Sequence, residues 1–344
     1  MVFLTGFVQS GVNALLDYLS AHVITCLVPA FFIAGAIAAF ISQGAILKYF
    51  GPKANKLLSY SVASVSGTVL AVCSCTVLPL FGGIYKRGAG LGPAIAFLYS
   101  GPAINVLAIV YSARLLGYDI GLARAVGSIV FSAGAGLLMA FLFRNVESPK
   151  NTQAFAVMSD EGGKSLWQQV VFLVALVAIL IFAASKNWVL LGIFFALMLL
   201  ILWRYYTRDD VLAWLRETAH FARLIFPWLL MGVFGAGLIK FLVPDTFVAR
   251  YVGGNSLSAN LAASLFGVLM YFATLTEVPI IKALIEMGMG KGPALALLLS
   301  GPALSLPSIL ALRSIMGWRK TLTYAAIVAV FATFTGYIFG FIVR

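Results

Sequence analysis

The sequence predicts an all-α integral membrane protein, polytopic and built from two inverted repeats. Three observations lead there. Apolar residues make up 62% of the chain and charged residues only 10%, where a soluble domain carries about a quarter charged residues. The stretch Pro79 to Gly117 recurs at Pro279 to Gly317 with a constant offset of 200 positions, keeping Gly88, Gly90, Gly92-Pro93-Ala94, Ser100-Gly101-Pro102-Ala103 and Gly117 as Gly288, Gly290, Gly292-Pro293-Ala294, Ser300-Gly301-Pro302-Ala303 and Gly317. The apolar segments are about 20 residues or longer, which favours helices over the short alternating strands of a barrel.

Along the chain, residues 3–20 set Phe3, Leu4, Phe7, Val8, Val12, Leu15, Leu16 and Leu19 opposite Gln9, Ser10, Asn13 and Asp17. That pattern predicts an interfacial amphipathic helix leading into the first span. Spans are expected at 22–43, 91–114, 118–143, 166–184, 187–204, 222–243, 291–313 and 319–342. The remaining long segments, 57–86 and 256–287, hold internal Gly and Pro at matching places (Gly67 and Pro79, Gly267 and Pro279). Each is a re-entrant hairpin or a full broken span. Ten full spans spread Lys and Arg evenly between the two sides. Eight spans with two hairpins gather Lys48, Lys53, Lys56, Lys86, Arg87, Arg144, Arg204, Arg208, Arg319 and Lys320 on one side, the usual topogenic bias. Five crossings then separate the repeat starts, so the halves come out inverted.

Three regions follow: 1–147, the first repeat with its amphipathic helix; 148–222, a polar loop with two linker spans; and 223–344, the second repeat. The charged stretch Arg208 to Arg223 connects the linker to the second repeat. The linker spans have no repeat partner and read as a spacer or a surface for a homo-oligomer. No cleaved signal is expected. The location implied is the cell membrane, crossed many times, with the lipid bilayer as surroundings.

The net charge of +12 comes from basic residues in short loops between spans, so no nucleic-acid partner is expected. Three cysteines in apolar segments make no disulfide framework. There is no Walker motif, dinucleotide fingerprint, HExxH or nucleophile elbow, so neither an enzyme nor a cofactor is expected. Paired Gly-Pro interruptions in two halves of a membrane protein instead point to a transport site, and to a small solute as partner.

Candidate residues cluster at those interruptions. Cys73 and Cys75, followed by Thr76 and Pro79, face one side only if the backbone opens. Pro79 disfavours a regular helix there. Two thiols would then suit a soft metal or metalloid; the alternative is apolar packing, which is also the reading for Cys26. In the second repeat Thr276 matches Thr76, and Glu277 replaces Val77. An ionised acid inside an apolar break costs about 2.5–3.5 kcal/mol. Glu277 is therefore a proton-coupling candidate, or a structural acid paired with Lys282. Ser100, Gly101 and Pro102, and Ser300, Gly301 and Pro302, read as the starts of two half-helices: a capping Ser, a bend at Gly, a Pro in the first turn. Converging half-helix N-termini would favour an anionic or polarised ligand, with Asn105 and Ser305 adding polar contacts. Gly92-Pro93 and Gly292-Pro293 need no more than an ordinary helix start.

The run CSCTVLPLFGGIYKRGAGLGPAIAFLYSGPAINVLAI, residues 73–109, resembles a signature of the predicted-permease family that includes the ArsP-type organoarsenical efflux permeases and the YraQ-like permeases. An echo stands at TEVPIIKALIEMGMGKGPALALLLSGPALSLPS. The resemblance implies a duplicated helical permease in which Cys73 and Cys75 correspond to thiols proposed to bind trivalent arsenicals. Pro79, Gly101, Pro102 and Asn105 stand in the same run. The function expected is proton-coupled efflux of a small thiol-reactive solute by alternating access. An anion or sulfur-compound permease that recognises its solute at the half-helix starts is the alternative. An intramembrane thiol oxidoreductase ranks behind both, because Cys-x-x-Cys and an acid–base partner are absent.

Overall fold

The repeated glycines and prolines cut the chain into short helices at the same places in both halves. The computed structural model describes residues 2–20, 23, 27–40, 55–70, 74–104, 106–144, 166–185, 187–242, 251–271 and 277–343. The first half runs α1 (Val2–Tyr18), α2 (Val28–Phe40), α3 (Lys56–Leu70), α4 (Ser74–Lys86), α5 (Leu91–Ala103), α6 (Val106–Leu116) and α7 (Tyr118–Leu142). Two linker helices follow, α8 (Leu166–Ala184) and α9 (Trp188–Tyr205). The second half holds α10 (Arg208–Leu242), α11 (Leu257–Leu269), α12 (Glu277–Glu286), α13 (Lys291–Ser300), α14 (Leu306–Met316) and α15 (Trp318–Ile342). Among the described residues there is no strand.

The series α3 to α7 and α11 to α15 correspond at the 200-residue offset, and so do their contacts. In each half the middle helix (α5, α13) packs against the long last one (α7, α15) and against the first (α3, α11). Left-handed turns recur too, at Gly88 and Gly288 (φ 91° and 106°) and at Gly117 and Gly317 (φ 112° and 81°). A side chain at such φ costs energy that glycine does not, which explains why these four positions are identical across the repeat. The close approach of the long helices is matched as well. Gly136 sits on the backbone of Gly92, and Gly336 on that of Gly292, leaving no room for a Cβ. Small residues at helix contacts are the usual means of tight packing in membranes.

The halves cross-pack: α4 lies against α14, and α12 against α6. The repeat mates α7 and α15 also touch. Phe131 meets its own counterpart Phe331 at 5.3 Å between ring centroids, while Gly127 lies near Thr335 and Gly134 near Phe331. Lys320, at the start of α15, stands over the Phe143 ring just past the end of α7. The two helices therefore run antiparallel.

Among the described residues four helical stretches are long and apolar enough to cross a membrane: α7, α9, Arg208–Gly235 of α10, and α15. Together α5 and α6, bent by 48°, make a fifth. The expected spans at 91–114 and 291–313 are thus each divided, because proline removes a backbone donor near the middle. The charged stretch before residue 222 is no separate connector either. It continues without a break into one 35-residue helix, α10, that contains Pro227. Thr207 and Asp210 start it with reciprocal bonds, Asp210 Oδ2 accepting from the Thr207 amide at 2.8 Å and Thr207 Oγ1 accepting from the Asp210 amide at 3.3 Å.

The first helix forms as expected but docks differently. Its small face, Ser10, Gly11 and Ala14, packs on α10, where Ser10 Oγ donates to the Gly237 carbonyl at 2.9 Å. Val8 and Leu16 point outward. Backbone proximity at Gly11 and Gly237 outweighs the larger apolar side chains in choosing that face. Of the linkers, α8 joins the first half through an aromatic group of Phe40, Phe172, Tyr206 and Trp214. In contrast α9 leaves Trp188, Val189 and Trp203 exposed.

Candidate functional site

At the centre of the cross-packing lies a buried ion pair between the halves. Glu277 is the first residue of α12, where the positive end of the helix favours an acid. Arg124 lies in the second turn of α7. Arg124 Nη2 donates to Glu277 Oε1 at 2.6 Å, and the two side chains are 0% and 1% exposed. The other arm, Nη1, donates to Ser112 Oγ on α6 at 2.8 Å, and Ser112 in turn donates to the Ala108 carbonyl at 2.7 Å. The Nε–H of Arg124 is buried and has no partner among the described residues.

One buried tyrosine stands beside Arg124, and a second stands beside that tyrosine. Tyr99 of α5 donates to the carbonyl of its own repeat counterpart, Leu299, at 3.0 Å, and lies within electrostatic range of both Arg124 and Tyr324. Tyr324 occupies the position in α15 that Arg124 holds in α7. It is fully buried and its hydroxyl has no partner among the described residues. The repeat thus replaces both members of the pair together: Arg124 by Tyr324, and Glu277 by the buried Val77. Charges gained or lost jointly behave as one unit, which is the reading a buried pair requires.

The pair is flanked by an exposed one on the same side. Lys291 Nζ, at the start of α13, lies 2.8 Å from Asp119 Oδ2. Asp119 is five residues before Arg124, so the Arg124 Cα sits roughly 7–8 Å further along α7. At the opposite end Lys320 Nζ donates to the Tyr85 hydroxyl at 2.7 Å, and Lys86 pairs with Glu217 at 2.5 Å. Arg87 reaches the Ala38 carbonyl at that same end.

Of the expected residues, Glu277 is a member of the pair. Glu277, Thr76, Ser100, Ser300 and Ser305 are all buried, as are Gly101, Pro102, Gly301 and Pro302. Glu277 pairs with Arg124 rather than with Lys282, which is exposed on the next turn of α12. The Ser-Gly-Pro segments do not begin the half-helices. They close the preceding ones: Pro102 lies inside α5, and Gly301 caps α13. Ser100 Oγ turns back to the Ala63 and Phe97 carbonyls at 3.0 and 3.1 Å, and Ser300 Oγ to Ala296 and Leu297 at 2.9 and 3.3 Å. Donation back to carbonyls is the habit of a serine inside or at the end of a helix rather than at its start. The next half-helix starts at Leu306 with Ser305 before it, Pro307 in its first turn and Ser305 Oγ 2.9 Å from Ser308 Oγ; its counterpart starts at Val106.

Cys73, Asn105 and Thr276 lie outside the described residues, as does Cys26. Cys75 falls in the first turn of α4. Among the described residues no three His, Cys, Asp or Glu side chains gather to hold a metal. An apolar cavity of about 230 Å³ lined by Pro29, Phe32, Leu176 and Trp214 lies among α2, α8 and α10, apart from the charge pair.

Comparison with known proteins now bears on this geometry. The predicted-permease model ArsP_1 matches residues 9–341. The chain belongs to that family of predicted permeases. A relative, UPF0718 protein MJ0584 of Methanocaldococcus jannaschii, is 45% identical across all of this chain and 99% of its own. UPF0718 protein YraQ of Escherichia coli is 24% identical, covering 85% of this chain and 73% of that one. No solved structure matches. Membership points to a membrane transporter rather than an enzyme, working on a small-molecule solute in a lipid environment. The apolar helices fit a multi-pass membrane protein.

Arg124 was not among the residues that sequence reasoning selected. Its signal lay in the repeat alignment, where one position of an apolar helix carries Arg in one copy and Tyr in the other.

Proposed function

We propose that this permease is a secondary transporter working by alternating access between two inverted halves, with the solute site at the breaks and a proton carried by Glu277. The buried Arg124–Glu277 pair between the halves is the observation that carries this reading. Ionisable groups inside a membrane are expensive and mark transport or proton pathways by default. Because the pair is closed on all sides here, solute access requires the halves to separate. Such separation is the movement that alternating access supplies.

Inversion is supported by the antiparallel packing of α7 on α15 with Phe131 against Phe331. The edge contacts support eight spans with two hairpins. That arrangement puts Asp119 with Lys291 on one side of the membrane and Tyr85 with Lys320 on the other, as the contacts require. Ten full spans would set the members of each contact on opposite sides.

For the solute, the family resemblance favours a thiol-reactive species, such as a trivalent organoarsenical, held by Cys73 and Cys75 and exported across the cell membrane. The buried Arg124, with one donor unmet, favours the second reading, an anionic or sulfur-containing solute. Flux in proteoliposomes separates them. Phenylarsenical export lost in Cys73→Ser/Cys75→Ser supports the first reading. Oxyanion flux indifferent to those changes supports the second, and flux of neither in the wild-type protein rules out both. The exposed face of α9 fits a contact between copies of the chain in the bilayer.

A further inference from the structure

We propose that Arg124 is the recognition residue for an anionic solute group, a carboxylate or small oxyanion, and that Glu277 is its built-in competitor, displaced when it takes up a proton. The inference rests on the permease reading above and names the solute chemistry of that site.

A guanidinium offers planar forks that match two-oxygen anions. The Nε–H and the neighbouring Nη2–H of Arg124 form such a fork. Glu277 takes a single bond from Nη2, through Oε1, while Nη1 is held by Ser112. The remaining Nε–H is buried without a partner among the described residues. Leaving a buried donor unmet is costly, so the closed arrangement is not the best partner set for this side chain. A two-oxygen anion arriving along the fork would satisfy both prongs. Ser112 would keep the guanidinium in register during the exchange.

The exchange balances. The carboxylate of Glu277 gains one proton and becomes neutral, and the single negative charge it gave up is supplied by the incoming monoanion. Arg124 stays positive throughout and is never left buried without a counter-charge, which would be costly. One proton therefore travels with one monovalent anion, and the loaded site carries no more charge than the empty one.

Among the described residues Arg124 is the charged group against Glu277, Tyr99 is the titratable group beside Arg124, and Tyr324 is the one beside Tyr99. Tyr111 and Arg114 on α6 and Lys282 and Glu286 on α12 belong to later turns. On α13, Lys291 is engaged with Asp119. The second half offers no duplicate, because Val77 and Tyr324 stand at the equivalent positions.

The test uses the purified full-length protein with acetate, formate and nitrate, each a monoanion throughout the range, as probes, followed by tryptophan fluorescence from pH 5.5 to 8.5. For wild-type protein, apparent affinity for at least one probe should rise about tenfold per pH unit on acidification until Glu277 is fully protonated, since only the released fraction binds. Glu277→Gln should bind as tightly as the acid limit of wild type, without pH dependence. Arg124→Gln/Glu277→Gln, which removes both charges and so leaves no unpaired one, should keep its thermal transition and lose at least about tenfold in affinity. Equal binding by the double variant and Glu277→Gln overturns the proposal, as does failure of Glu277→Gln to bind any probe. Proteoliposome flux keeps the two ideas apart. Anion binding without flux would sink the permease reading alone, whereas phenylarsenical flux without anion binding would sink only the Arg124 site.

Discussion

Replacing Arg124 with Tyr would strip a carboxylate that is 1% exposed of the one counter-charge it has among the described residues. Breaking a buried pair from one side costs about 3–5 kcal/mol, because the remaining charge stays desolvated. Converting both residues to those of the other half, Arg124→Tyr with Glu277→Val, removes the charges together. It installs side chains already accommodated at Tyr324 and Val77, both buried in the same helical setting. The double variant should therefore regain most of the loss, to within about 1–2 kcal/mol of wild type, as isosteric replacement of buried pairs often does. Unfolding of the purified protein in mixed micelles, run on wild type, both single variants and the double variant, gives the coupling energy directly. A coupling of about 2 kcal/mol or more is expected. If the single effects add to within about 0.5 kcal/mol, the two residues are independent, and the joint replacement across the repeat is a coincidence.

Three further outcomes follow from the packing. Gly136→Leu and Gly336→Leu should each destabilise the protein by about 1–3 kcal/mol or more, since each forces side-chain volume against glycine backbone on the facing helix; a neutral effect in thermal unfolding would remove the close contact from the account. Single cysteines at Asp119 and Lys291 should label from one side of intact cells, and those at Lys86 and Lys320 from the other; labelling of Asp119 and Lys291 from opposite sides would rule out the two hairpins. Gly88→Ala and Gly288→Ala should cost similar amounts, about 1 kcal/mol each, because both turns are left-handed; a large difference between them would break the equivalence of the halves at that turn.

The repeat was legible in the sequence because its conserved residues answer backbone demands. Gly88, Gly117 and their counterparts need positive φ, and a backbone demand leaves the same residue at the same offset. Composition and span length likewise reveal a helical membrane protein. Polarity of the breaks was harder to read. Serine before Gly-Pro satisfies the local rule for a helix start equally well when it ends a helix, and only the acceptor chosen by Ser100 and Ser300 distinguishes the two. The docking face of α1 was also hidden, since its pattern of large apolar residues describes lipid contact while Gly11 sets the contact with α10. The partner of Glu277 lies 153 positions away, beyond the reach of periodicity. Lys282, on the same helix, was the natural local candidate. Comparing the two copies residue by residue would have found Arg124, since both charges depart from the repeat together.

The most direct test of the central claim is proton movement in proteoliposomes carrying a pH-sensitive dye, after a gradient of the tightest-binding anion is imposed. Wild type should move one proton with each monovalent anion, with no dependence on membrane potential, and Glu277→Gln should move the anion without the proton or not at all. Proton movement that persists in Glu277→Gln would contradict the account, because the Arg124–Glu277 pair would then not be where solute and proton are exchanged.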